Sequence, residues 1–463
     1  MTLPETSFSR LALSPAMQEN LQRLGYTEMT PIQAATLPAA LLGHDLIAQA
    51  KTGSGKTAAF GLALLAQLNP RRFAVQALVL CPTRELADQV ATQLRLLARA
   101  EENIKVVTLV GGVPLRGQTS KLEHGAHVVV GTPGRVLDHL QRGSLQLDAV
   151  RTLVLDEADR MLDMGFFEDI AAVVRLCPAD RQTLLFSATY PEGVERLATQ
   201  FMRQPRMVKV EAQHSASRIE QRWYEVTESQ RVAAVGRLLD HFRPESSLAF
   251  CNTKARCREV VEALRTRGIH ALALHGDLEQ RDRDQVLVRF ANRSCSVLVA
   301  TDVAARGLDI ANLAAVINVE VSPDPEVHIH RIGRTGRAGE SGLALSLASL
   351  DEMGAVGLVE QLQGRPSAWH PLAELTPAGG PPLAPPMATL HIQGGRKEKI
   401  RPGDVLGALT KDLGFTREQV GKIDVNEFST YVAMDRRVAA DAARRLGAGR
   451  IKGRGVKVRV LED

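Results

Sequence analysis

An α/β protein with two parallel-sheet domains in tandem, followed by a small α+β domain, is the fold class that three observations predict. Short continuous apolar runs alternate with helical stretches through residues 1–207. The same alternation begins again near residue 219. A proline-rich interruption then precedes a final segment, 388–463, whose elements follow a different order. With 463 residues the chain is too long for a single core, and at 44% hydrophobic residues each domain can bury one.

In the first domain the runs at 45–50, 77–82, 106–111, 127–132, 152–157 and 183–189 read as strands. They are apolar throughout rather than at alternate positions, as strands covered on both faces of a parallel sheet must be. Helical patterns such as 85–100 separate them. The second set of runs lies at 247–253, 271–277, 296–302, 315–320 and 343–349. The polar stretch 208–218 is expected to be a hinge, and the second domain to span 219–363. Seven prolines between Pro366 and Pro386 predict an extended linker at 364–387, outside any core. Residues 388–463 read as strand, helix, strand, strand, helix, strand, with helices expected at Pro402–Asp412 and Arg436–Leu446.

Charge and cysteine content narrow the class. Segment 388–463 carries 16 Lys/Arg against 10 Asp/Glu, which is +6, while the rest of the chain sums to −1. A basic appendage suits nucleic acid, although charge alone also fits a solvated surface. Cys81, Cys177, Cys251, Cys257 and Cys295 contain no CxxC pair, so a disulfide framework or zinc site is not expected. The opening MTLPETSFSR lacks the basic start and apolar run of a signal peptide. The most apolar stretch, Ala58–Leu68, is too short for a membrane span and is expected to be a buried helix. A cytoplasmic monomer without a membrane partner is the expectation.

The most specific motif is residues 50–57, ending Gly53-Ser54-Gly55-Lys56-Thr57, between a strand and a helix. Glycine backbone there lets N–H groups approach phosphate oxygens, Lys56 can reach the β- and γ-phosphates of ATP, and Thr57 can ligate Mg²⁺. Asp156-Glu157-Ala158-Asp159 closes an apolar strand downstream. Asp156 is placed to hold Mg²⁺, and Glu157 to orient and deprotonate the attacking water. Further cationic neutralisation is offered by His330-Arg331-Ile332-Gly333-Arg334-Thr335-Gly336-Arg337. Arginines at this spacing on a helix start can present guanidinium groups to a phosphate, and they reach the site only if the lobes close.

These residues resemble the DEAD-box RNA helicases, through nearly all of residues 8–345. The resemblance implies two RecA-like domains. Gly25-Tyr26 and Thr30-Pro31-Ile32-Gln33, with Phe8 upstream, look like the family's Q motif. That implies that Gln33 reads the adenine edge and that Phe8 or Tyr26 packs against it. Pro82-Thr83-Arg84, Gly111-Gly112 and Thr132-Pro133-Gly134-Arg135 are similar to its RNA-backbone motifs, as are Asn252 and Thr301 in the second lobe. By resemblance, Gly307 and Asp309 contact ATP and Arg334 and Arg337 are the finger arginines, while Ser187 and Thr189, with Asp159 and His330, couple hydrolysis to unwinding. Hydroxyls, glycine amides and a few arginines suit a sugar-phosphate backbone and do not read bases.

The final segment is expected to be RRM-like, without the usual sheet aromatics: Phe428 and Tyr431 miss the spacing and read as core. Its RNA candidates are basic, Arg396, Lys397, Lys399 and Arg401 after the first strand, with Lys452 and Arg454 near the end. The run Gly395–Leu409 resembles the C-terminal domain of the DbpA subfamily. That implies binding to a hairpin of 23S ribosomal RNA and action on pre-50S particles during large-subunit assembly. The function expected is therefore ATP-dependent RNA unwinding. A nucleotide-gated RNA clamp is the alternative, and a DNA helicase on the same two-lobe core is a further one.

Overall fold

A computed structural model describes residues 6–50, 53–210, 219–305, 313–336, 341–380 and 383–461. The first unit holds β1 (Leu46–Gln49), β2 (Ala77–Leu80), β3 (Val106–Leu109), β4 (Val128–Gly131), β5 (Thr152–Asp156), β6 (Gln182–Ser187) and β7 (Arg206–Lys209). All pair in parallel, in the order β3-β4-β2-β5-β6-β1-β7. The central strands are buried along their whole length because helices cover both faces, which explains why their sequences do not alternate. The helix Lys56–Ala66 is buried from Ala58 to Leu65, as Ala58–Leu68 was expected to be. β7 extends the first domain to Lys209, two residues beyond the boundary expected at 207, by pairing with β1. Residues 211–218 of the expected hinge lie outside the described residues.

The second unit begins with β8 (Ile219–Glu225), β9 (Ser247–Cys251), β10 (Ala271–Leu274), β11 (Val297–Thr301), β12 (Ala315–Asn318), β13 (Gly342–Ala348) and β14 (Trp369–His370). Their order is β10-β11-β9-β12-β13-β8-β14, again parallel. β14 and the residues after it correct the linker expectation. Trp369–His370 adds an edge strand to β8, and Leu375 and Leu383 are buried in the second lobe's core. Arg237 donates to the Leu375 and Leu372 carbonyls, and Ser296 Oγ to the Leu383 carbonyl, so the segment is extended but fastened down. Its apolar residues found a groove between helix and sheet that composition does not reveal.

The last four strands, β15 (Met387–Gln393), β16 (Val420–Val425), β17 (Ser429–Asp435) and β18 (Lys457–Leu461), form an antiparallel sheet in the order β16-β17-β15-β18. The first helix runs Pro402–Gly407 and continues as a π turn, Ala408–Asp412. The second spans Ala439–Ala448 rather than Arg436–Leu446. Asp435 explains the later start: its carboxylate accepts from the Arg437 N–H and guanidinium and holds a turn at the strand's end. Leu390, Ile392, Val432 and Met434 face the helices and form the core. On the opposite face Thr389, His391 and Tyr431 are buried, while Arg459 and Lys457 at the β18 edge are exposed, and Thr389 meets the second lobe. Thr389 Oγ1 meets Asn292 Nδ2 at 3.2 Å and Ser294 Oγ at 2.8 Å. Arg436 bonds the Pro385 and Met387 carbonyls. Tyr431 is 6% exposed, as expected of a core residue, but Phe428 is 63% exposed and is not one.

Among the described residues no helix is long and apolar enough to cross a membrane. One buried group gives the second lobe a pH dependence. His328 stacks on Trp223, ring centroids 5.1 Å apart, and neither of its nitrogens has a hydrogen-bond partner among the described residues. Burial, aided by the Arg331 charge, pushes its pKa down from 6.5 to about 4. Between those values the unfolded chain takes up a proton that the folded lobe refuses, so stability falls as pH drops through the window. Both tryptophans lie in this lobe. The urea midpoint of tryptophan emission is expected to fall from about pH 7 to about pH 5, and His328→Phe to flatten that dependence.

Candidate nucleotide and RNA sites

The phosphate loop, the acidic run Asp156–Asp159, Ser187–Thr189 and the expected RNA-backbone residues of the first lobe all lie at or beyond the carboxyl ends of strands, whereas Phe8, Tyr26 and Gln33 precede β1. β1 leads to the loop carrying Gly53, Ser54 and Gly55, and the helix begins at Lys56. Gly55 has φ +93°, and a Cβ there would lie 2.6 Å from Gln33 Nε2, so this position needs glycine on two counts. Gln33 holds the loop from the other side. Its Nε2 donates to the Gly55 carbonyl at 3.1 Å and its Oε1 accepts from the Thr30 N–H at 2.9 Å. Phe8 and Tyr26 meet edge to face, centroids 6.1 Å apart, with Phe8 in the core and Tyr26 partly buried against it.

Asp156 closes β5, and Glu157 follows with φ +54°, a strained conformation for a non-glycine residue. That bend directs the chain into the next helix and leaves Glu157 in a 2.7 Å ion pair with Arg160. Asp159 Oδ2 accepts from the Ala188 N–H (3.1 Å), the Thr189 N–H (2.9 Å) and Thr189 Oγ1 (2.9 Å). The Asp159 N–H donates to Ser187 Oγ. Burial pushes the Asp159 carboxyl up, but these bonds and the Lys56 charge outweigh it and hold the group below the usual carboxylate range. The acidic end of β5 is thus tied directly to Ser187–Thr189 at the end of β6.

Three buried polar atoms here lack a hydrogen-bond partner among the described residues: Lys56 Nζ, Ser54 Oγ and Asp156 Oδ1. Burial pushes the Asp156 carboxyl up, Lys56 pulls it down, and Glu157 adds to the rise. A buried ammonium, a hydroxyl and a carboxylate left open at the mouth of a glycine loop match a polyphosphate and a hard divalent cation bound together. Thr57, on the first turn of the same helix, adds a hydroxyl.

The expected RNA-backbone residues lie on the adjoining half of the sheet. Thr83 caps the helix Arg84–Leu97 after β2, and Thr132 stands before Pro133 at the start of Pro133–Gln141 after β4. Pro82 precedes the first cap; Gly134 and Arg135 follow the second. β2 and β4 are neighbours, so two helix N-termini open side by side, a favourable field for phosphates. Arg84 Nη1 donates to the Gly111 carbonyl at 2.9 Å, and Arg135 Nη1 to the Val113 carbonyl at 3.0 Å, which fixes the glycine turn containing Gly112 between them.

In the second lobe, Asn252 and Thr301 follow or close β9 and β11. The residue that organises them is Arg331, which sequence reasoning quoted but gave no role. It is 1% exposed. Its guanidinium donates to both Asp302 oxygens at 2.7 Å, to the Glu320 carbonyl at 2.7 Å and to Asn252 Oδ1 at 2.9 Å. One side chain thereby fixes the ends of three strands. The local sequence in the helix Pro325–Ile332, His328-Ile329-His330-Arg331-Ile332, gave no signal of that burial. His330 precedes it on that helix, and Arg334 is buried just beyond. Gly307, Asp309 and Arg337 lie outside the described residues. In the last domain Arg396, Lys397, Lys399, Arg401, Lys452 and Arg454 are all exposed. Lys452 Nζ donates to the Lys399 carbonyl at 3.1 Å, joining the two basic loops.

Comparison with known proteins fits this geometry. The DEAD/DEAH box helicase family matches residues 30–197, the helicase conserved C-terminal domain 230–339, and the DbpA RNA binding domain 389–460. The chain is 52% identical over 461 residues to the ATP-dependent RNA helicase DbpA of Escherichia coli (strain K12), covering 99% of this chain and 100% of that one. It is 46% identical over 361 residues to the DEAD-box ATP-dependent RNA helicase CshA of Geobacillus kaustophilus, covering 78% and 77%. Among solved structures, S. cerevisiae Dbp5 bound to RNA and ADP BeF3 aligns with TM-score 0.72 at 31% identity, over 79% of this chain and 96% of that one.

Two substitutions test the geometry. Gly55→Ala is expected to abolish ATP binding, measured by a fluorescent nucleotide, while leaving the fold intact by circular dichroism. Arg331→Lys keeps the charge but loses the fork that spans three strand ends. It is expected to leave nucleotide binding unchanged and to cut RNA-stimulated turnover by about tenfold or more.

Proposed function

The chain belongs to the DEAD-box ATP-dependent RNA helicases, and on that premise we propose how its residues divide the work. As an RNA-dependent ATPase it hydrolyses ATP to ADP and phosphate. Lys56 and the amides of the Gly53–Gly55 loop hold the β- and γ-phosphates, while Gln33, Phe8 and Tyr26 receive the adenine. Thr57 and Asp156 would hold Mg²⁺, which when bound neutralises charge on the transferred phosphate. Glu157 orients the attacking water and takes its proton, with Arg160 fixing its carboxylate. Asp159 passes the state of the γ-phosphate site to Ser187 and Thr189. The observation that carries this reading is the set of three unpartnered buried atoms at the loop, which calls for a bound anion and cation together.

The RNA strand runs along the two helix N-termini at Thr83 and Thr132, with Arg84, Gly112 and Arg135 on its phosphates, and continues over Asn252 and Thr301. Arg334 and Arg337 complete the charge around the γ-phosphate when ATP and RNA close the lobes, with Gly307 and Asp309 joining the ATP contacts and His330 the coupling. Bending one strand on closure separates a short duplex locally, and hydrolysis resets the lobes. The basic loops of the last domain hold a hairpin of 23S ribosomal RNA, so that the motor acts on nearby helices of pre-50S particles, in the cytoplasm and as a monomer. The end-to-end likeness to a DbpA helicase and the exposed basic loops support that assignment.

Glu157→Gln is expected to bind ATP and one RNA duplex but to lower steady-state turnover by about a hundredfold or more. Near wild-type turnover would remove Glu157 from the base role. If instead that variant still unwinds repeated rounds of duplex, the reset by hydrolysis is wrong and the clamp reading gains.

A further inference from the structure

Phe428, 63% exposed, is the most exposed aromatic side chain among the described residues. It lies at the tip of the β16–β17 hairpin, where the Asn426 N–H donates to the Ser429 carbonyl at 2.8 Å and closes the turn. The first basic loop clamps the tip through three main-chain bonds. The Gly394 N–H donates to the Phe428 carbonyl (3.1 Å), the Arg396 N–H to that of Asn426 (2.8 Å) and the Lys397 N–H to that of Glu427 (3.0 Å). The approach is so close that a Cβ on Gly395 would lie 2.3 Å from the Asn426 carbonyl oxygen. These bonds fasten the main chain of the tip, and the Phe428 ring stands in solvent beyond it.

The surroundings are cationic. Lys397 Nζ sits 4.8 Å from the centre of the Phe428 ring and 3.3 Å from Glu427. Arg396, Lys399 and Arg401 are exposed on the same loop, and Lys452 ties the second basic loop to it through the Lys399 carbonyl. Meanwhile the centre of the sheet face on which such a domain would ordinarily stack bases is buried. Thr389 is bonded to Asn292 and Ser294 of the second lobe, and His391 and Tyr431 stack on one another, centroids 5.1 Å apart, both buried. An exposed π surface beside Lys397 on a basic loop, on a domain whose central sheet residues are buried, has the chemistry of a site for an unstacked nucleobase with phosphates on either side.

We propose that Phe428 is a stacking platform for one unpaired base of the bound RNA, with Arg396, Lys397 and Lys399 on the flanking phosphates. This rests on the RNA-binding reading of the last domain and adds that the domain distinguishes unpaired from paired RNA. The full chain, without nucleotide, is titrated with an RNA hairpin carrying 2-aminopurine in its loop and with a blunt duplex of equal length. Wild type is expected to quench the 2-aminopurine. Phe428→Ala is expected to lose the quench and to weaken hairpin binding about tenfold with duplex binding unchanged, while Phe428→Tyr retains both. Unchanged hairpin affinity and quench in Phe428→Ala would overturn the platform, as would an equal loss on hairpin and duplex. If Arg396→Ala and Lys399→Ala weaken both RNAs in that case, RNA binding by the domain stands and only the stacking falls. No RNA binding by wild type would remove both.

Discussion

A carboxylate buried at the end of an apolar strand cannot stay unmet, and Asp156 is the group around which the first lobe is arranged. One of its oxygens has no partner among the described residues, and Lys56 across from it is in the same condition. Removing either charge from water is costly unless something of opposite sign arrives. The loop glycines and Gln33 keep that opening in shape, and Asp159, bonded to Thr189, is the link through which we propose that its occupancy reaches Ser187 and Thr189. Because β5 and β6 are adjacent in the sheet, the coupling needs no long route. The helix starts proposed to face RNA follow the next strands over, β2 and β4, so on that reading one sheet end carries both tasks.

The second lobe meets the same problem with the opposite sign. Arg331 is buried and fully engaged, satisfying Asp302, Asn252 and the Glu320 carbonyl. Its planar fork can reach three strand ends in fixed directions, which a lysine cannot. Asn252 is therefore positioned by a residue that itself has no exposed surface to offer a ligand.

Much of this was legible in the sequence where the signal was local. Continuous apolar runs marked buried parallel strands, and glycines before Lys56 marked a loop whose backbone must approach phosphate. Where tertiary contact decides, the sequence was silent. Leu375 and Leu383 looked like linker residues because proline density says how a chain extends and not what it lies against. Arg331 looked like one more cation, since its burial depends on strands far away in sequence. Phe428 looked like core because apolar character predicts burial on average, whereas this ring stands in solvent beyond a tip fastened by main-chain bonds that any residue could make. The helix expected from Arg436 starts later because Asp435 captures Arg437 in a turn.

The docked sheet face changes how the last domain is to be understood. It is fastened to the second lobe through Thr389, bonded to Ser294 Oγ, and through Arg436, which reaches the Ser294 carbonyl at 3.5 Å, so RNA bound on its loops, as proposed, would stand in a defined relation to that lobe. The most direct test of RNA-dependent catalysis is steady-state ATPase rate with no nucleic acid, unrelated RNA, ribosomal RNA and matched DNA at one salt concentration. Stimulation by RNA and not by DNA, greatest with ribosomal RNA, is expected. A rate indifferent to RNA would contradict the coupling of the two halves of the sheet end.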